Sequence, residues 1–220
     1  MKNNVYIAFF SCLLAAFFSS CTGSLQELTT YDSIATDNTI LGNWTNGVNN
    51  IRVQKFGQSK YNSIFKEARE NKSASPITIQ DSLFYLKHYI VTYEEQNINY
   101  TWLGGLFRNG DDLFINLLAV ECLGKQDQIV YDPGTSETGS IIGKVIWKDQ
   151  NSVQIRFLNG EHLKQLVLKS MVRIKHEYDP LFGTFIITAS SKELQQFLNK
   201  YGNDERLYVG GVSFNLKRKM

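Results

Sequence analysis

Cysteine is scarce in this sequence: Cys12, Cys21 and Cys122 are all that 220 residues contain. A surplus of one charge is missing as well. Lys and Arg number 23 against 21 Asp and Glu, a formal net charge of +2. Such a balance offers no electrostatic footprint for nucleic acid and no field to steer a charged partner. The basic triplet Lys217-Arg218-Lys219 is short and reads as a solvated end. No apolar run reaches the roughly 20 residues that a membrane-spanning helix needs. The longest, residues 5–18, is interrupted at Ser11 and Cys12.

Motifs that carry chemistry are missing too. His88, His162 and His176 lie far apart, and none forms the helix-spaced pair of a zinc hydrolase. There is no Gly-x-Ser-x-Gly elbow. Gly104-Gly105 and Gly210-Gly211 sit in strand-like surroundings and not in a phosphate-cradling loop. Asp111-Asp112 pairs two carboxylates as a glycosidase does, but at a hairpin turn adjacent acids are solvated. The polar stretch 124–139 holds Asp127, Asp132 and Glu137 without the spacing of a calcium loop. These absences lead to an expectation of a non-enzymatic protein with no metal and no cofactor.

The N-terminus is more telling. Lys2, an apolar core and then small residues describe an export signal over residues 1–20. Phe18-Ser19-Ser20-Cys21 resembles the lipobox of bacterial lipoproteins, with Phe18 where Leu is usual, a variant similar to that of Bacteroidota. The resemblance implies that Cys21 becomes the first residue, with a diacylglyceryl thioether on sulfur and a palmitate-type chain on its amino group. One acyl chain binds a membrane only marginally, whereas several make attachment effectively permanent. Thr22 carries no inner-membrane retention signal, and Thr22-Gly23-Ser24-Leu25 lacks the acidic run that resembles a surface-export tag. The implied location is the outer membrane, facing the periplasm. Removing residues 1–20 leaves 200 residues with 22 basic and 21 acidic side chains. Cys12 then leaves and Cys21 is acylated, so Cys122 has no partner for an intramolecular disulfide. It reads as a small buried apolar residue.

Residues 21–39 read as the lipidated Cys and a flexible tether, rich in Ser and Thr and short of large apolar side chains. Asp32-Ser33-Ile34 and Asp81-Ser82-Leu83 resemble the O-glycosylation acceptor of Bacteroidota envelope proteins, which implies Ser33 and Ser82 as acceptors. The same triplets also fit ordinary Ser turns.

Residues 40–220 read as a single β-rich domain. Period-two alternation at 51–56 predicts a half-buried strand. A turn at 57–59 and a returning strand at 61–65 follow, then a polar connection over 66–75. Runs at 86–93, 98–107, 112–120, 141–147, 153–158, 172–178, 184–189 and 208–216 are rich in β-branched and aromatic residues. Hairpin turns fall at 94–97 and at Asn109-Gly110. Two short amphipathic helices are predicted in the C-terminal half. Asn159 caps the first; the capping box Ser190/Glu193 opens the second, with Leu194, Phe197, Leu198 and Tyr201 as its stripe and Gly202 as a left-handed cap. The sum is about ten antiparallel strands, as a barrel or a sandwich.

Leu41-Gly42-Asn43-Trp44 resembles the Gly-x-Trp opening of lipocalin-type barrels, which implies that Trp44 packs across a closed barrel end. The later Thr-Asp-Tyr signature of true lipocalins has no counterpart, so a lipocalin-like barrel is the expectation. Residues 100–118, with 144–147, 159–168 and 187–189, resemble uncharacterised bacterial lipoproteins, which adds a fold and no reaction. Trp44, Trp102 and Trp147 are candidate ligand-lining or core aromatics. The expected role is a lipid-anchored envelope protein that binds an apolar ligand. The alternatives are an accessory subunit docking on an envelope complex and, third, a hydrolase with a spatially assembled site.

Overall fold

The computed structural model describes residues 23–63, 66, 79–95, 98–123, 129–131 and 139–219. Cys21 and the segment read as a signal lie outside them. The strands are β1 Ile34–Ala35, β2 Gly42–Thr45, β3 Asn50–Lys55, β4 Tyr89–Glu95, β5 Ile98–Asn109, β6 Asp112–Leu123, β7 Ile129–Tyr131, β8 Ile141–Asp149, β9 Ser152–Phe157, β10 His176–Asp179, β11 Thr184–Ile187 and β12 Ser213–Arg218. The helices are α1 Ile79–Tyr85, α2 Gly160–Leu168 and α3 Ser191–Tyr201.

Eight strands close into an antiparallel barrel. The order runs β2-β3-β4-β5-β6-β8-β9-β12, and β12 pairs back onto β2. β1 adds to β5, β7 adds to β6, and β10–β11 form a separate hairpin. Alternation explains most of the wall. Ile51 and Val53 of β3 point inward while Arg52 stays exposed; in β9, Val153, Ile155 and Phe157 are the buried set. In β6 the residues from Leu113 to Leu117 are all buried, because this part of the wall is covered outside as well as inside. Leu113, Ile115 and Leu117 fill the barrel; Phe114 faces the outer core, where Leu163, Leu194, Phe197 and Leu198 of α2 and α3 pack with Leu28.

Both C-terminal helices start as predicted. Asn159 Oδ1 accepts the His162 N–H, and Ser190 with Glu193 forms a complete capping box. Gly202 differs from expectation: its φ is −60°, right-handed. Glycine fits there because a Cβ would press on the Leu198 carbonyl and the Phe114 ring.

Other segments correct the sequence reading. The stretch from Gly23 to Asp37 is not a flexible tether. Leu28 is fully buried, its N–H donates to Asn116 Oδ1 at 3.1 Å, and its carbonyl accepts from Gln195 Nε2 at 2.8 Å. Ile34 pairs with Phe107. Residues 60–63 are helical and not a strand, and 3-10 turns occupy Phe56–Gln58 and Glu205–Leu207. Leu86 and Lys87 belong to the turn after α1, a helix that periodicity did not reveal. The strand expected at 172–178 begins only at His176, and the one expected at 208–216 only at Ser213.

Candidate functional site

The alternating strand directions give the barrel two unlike ends. At one end, β2 begins, β12 finishes, and the 3-10 turn Asn38–Ile40 lies across. Trp44 is buried here and donates from Nε1 to the Ile40 carbonyl at 2.9 Å. The Arg218 guanidinium lies 4.3 Å from the Trp44 ring and donates to the carbonyls of Leu41 and Thr39. Trp147 packs on Trp44 with ring centroids 5.8 Å apart. Cation, ring and carbonyls satisfy one another, so this end is sealed. Arg218 belongs to the triplet read as a solvated end, and its placement against Trp44 corrects that reading.

The other end carries the Glu95–Ile98 connection and the start of β12. Its inward-facing side chains are Tyr93, Tyr100, Trp102 and Phe214, all half-buried. The Tyr100 and Trp102 rings stack with centroids 6.0 Å apart and 14° between planes. Tyr93 lies 5.7 Å from Phe214, across the barrel from its own strand pair. Asn49 Nδ2 donates to the Tyr93 hydroxyl at 2.6 Å. Burial, with the Glu95 carboxylate nearby, pushes the Tyr93 phenol up to about 12, so it stays neutral. Rings that look into a barrel and still retain exposed surface make this end an aromatic mouth.

Of the three tryptophans singled out in the sequence, the structure assigns Trp44 and Trp147 to the sealed end and Trp102 to the mouth. Tyr93 and Tyr100 were missed individually, yet the hairpin at 94–97 could have found them. Its register sets Tyr93 opposite Tyr100, and alternation adds Trp102 on the same face.

A second polar cluster lies outside the barrel, where the N-terminal segment crosses Gly105. His88 is buried, and its Nδ1 lies 3.0 Å from the Phe84 carbonyl. A carbonyl only accepts, so Nδ1 carries the proton and Nε2 is a bare acceptor. Nε2 and Thr29 Oγ1 are buried without a hydrogen-bond partner, and the Glu27 carboxylate is 4.0 Å from Nε2. Burial drops His88 to about 4 and raises Glu27. A groove of about 430 Å³ beside them is lined by Glu27, Thr29, Tyr31, Asp81 and Phe84. Thr29 is only 3% exposed, and a Cβ at Gly105 would already meet both Thr29 and His88. This packing leaves no approach to Nε2, so the cluster serves as a joint between segment and wall.

His162 lies in α2, and His176 in β10 packs on Phe185. Among the described residues no three His, Cys, Asp or Glu side chains gather to hold a metal ion. Ser33 bonds the Thr30 N–H and Gln195 Nε2, and Ser82 falls within α1. Cys122 falls in β6.

By architecture the chain is a closed eight-stranded antiparallel barrel of lipocalin-like form, sealed at one end and aromatic at the other. No protein-family model matches it, and neither curated proteins nor solved structures provide a similar chain.

Proposed function

We propose that this protein is a lipid-anchored component of a bacterial envelope, held through Cys21 in the outer membrane and facing the periplasm, and that its barrel binds an apolar small molecule without transforming it. The half-buried aromatic mouth of Tyr93, Tyr100, Trp102 and Phe214 supports the binding role. The lipobox-like Phe18-Ser19-Ser20-Cys21 supports the anchor. Trp102 and Tyr100 would stack on the ligand, and the Tyr93 hydroxyl would orient any polar end it carries.

Native mass spectrometry of protein extracted from its own envelope tests the reading. The expected spectrum shows the acyl mass on Cys21 and a second, non-covalent small-molecule mass that is less abundant in Trp102→Ala. A chain that never carries a bound small molecule sinks the binding role; an unmodified Cys21 sinks the anchor. The alternative, an accessory subunit, draws on the exposed Leu181 and Phe182 and predicts a co-purifying protein in place of a small molecule.

A further inference from the structure

The β10–β11 hairpin stands apart from the barrel sheet and ends in Asp179-Pro180-Leu181-Phe182-Gly183. Leu181 is 82% exposed and Phe182 78%. Two neighbouring large apolar side chains this bare are unusual on a solvated surface, where such residues occur singly. The tip is a formed turn. Asp179 Oδ1 accepts from the Leu181 N–H at 2.8 Å, and Gly183 reverses the chain with φ of 68°. The backbone that carries the two side chains is thus already ordered.

The N-terminal segment joins this same hairpin. Ser24 bridges Ile187 in parallel, with the Leu25 N–H donating to the Ile187 carbonyl and the Ile187 N–H to the Gly23 carbonyl. Parallel pairing fixes a direction. Going back along the chain from Ser24 runs the same way as going back along β11 from Ile187, toward Thr184 and the tip. Cys21 is two residues before Gly23, a backbone reach of at most about 7 Å. The chain therefore enters this pairing from the tip end of the hairpin, the end that carries Leu181 and Phe182.

We infer that Leu181 and Phe182 insert into the lipid leaflet that holds the acyl chains of Cys21, giving the barrel a second contact with the bilayer and a fixed orientation on it. This rests on the reading of Cys21 as the lipidated residue. Arg173 and Lys175 before β10 are offset by Glu177 and Asp179 on it, so the contact is apolar and a zwitterionic bilayer suffices.

The test uses the full lipidated chain with Phe182→Trp in phosphatidylcholine vesicles, with and without brominated acyl chains. The substitution lies at an exposed tip and leaves the core untouched. The emission it adds over the unsubstituted protein is expected to shift to the blue on vesicles and to lose most of its intensity to bromolipid. Added emission that keeps its aqueous wavelength in vesicles that carry the protein overturns the proposal. So does a blue shift seen only in native envelope fragments, which assigns the tip to a protein partner. Intact mass read on the same sample separates the two layers: a Cys21 without lipid fails the anchor and the orientation together, whereas a lipidated Cys21 with an aqueous tip fails only the insertion.

Discussion

Trp44 shows what one residue does for this barrel. Its ring fills the sealed end, its N–H is spent on Ile40, and Arg218 covers its face. Trp44→Ala would leave a void that the closed wall cannot collapse into, at a cost of about 3–5 kcal/mol. Urea unfolding of the variant checks this, and a midpoint shift equivalent to less than about 1 kcal/mol would show that the Trp44 ring is not needed to hold the barrel closed. His88 sets a pH dependence. Its folded value of about 4 lies below the ordinary 6.5, so between these the unfolded chain binds the extra proton. The associated stability is fully present above pH 6.5 and is lost as pH falls toward 4, up to about 3 kcal/mol in all. Glu27, raised by burial, opposes this slope in its own window by favouring the folded state in acid. The net expectation is that wild type loses more stability than His88→Gln between pH 6.5 and 5. Equal losses in the two proteins would show that His88 does not titrate with unfolding.

The N-terminal segment is the element on which sequence and structure part most. Its own composition is polar, and the groups that hold it, Asn116 and Gln195, lie far along the chain. Nothing local in Thr22 to Asp37 announces that Leu28 will fill the gap between α3 and the wall. Leu28→Ala is therefore expected to cost about 2–5 kcal/mol, where a free tether would feel nothing. Thermal unfolding decides between them. Elements with local signals were legible. Alternation marked β3, runs of β-branched and aromatic residues between turn signals marked β5, β6, β8 and β9, and the Ser190/Glu193 box marked α3. Ser190→Ala should lower stability by about 1 kcal/mol, measurable as a small shift in denaturant midpoint. What stayed hidden was non-local: the pairing of β12 with β2, which joins distant parts of the chain, and the Arg218 cap on Trp44, which a basic triplet does not suggest. The mouth was half legible, since Trp102 was singled out without the Tyr93–Tyr100 pair that gives it meaning.

At the scale of the whole molecule, the two barrel ends differ. Trp44 is fully enclosed at its end, whereas all four rings of the mouth keep exposed surface. The substitutions that change binding at the smallest cost to stability should therefore lie at the mouth. Tyr100→Ala and Trp102→Ala remove half-buried rings, so their cost should stay below the 3–5 kcal/mol or so of a core aromatic, at about 1–2 kcal/mol. Each also removes about one stacked ring from a bound apolar molecule, worth about tenfold in affinity. An apolar fluorescent probe such as N-phenyl-1-naphthylamine, titrated into each protein, is expected to bind wild type and to weaken by about tenfold in either variant. Lys169→Ala, at the exposed C-cap of α2, should leave the probe unaffected. If the probe binds all three variants as it binds wild type, the mouth is not the binding site. If it binds none of the four proteins, the barrel is a filled core, and the exposed hairpin tip becomes the principal functional surface.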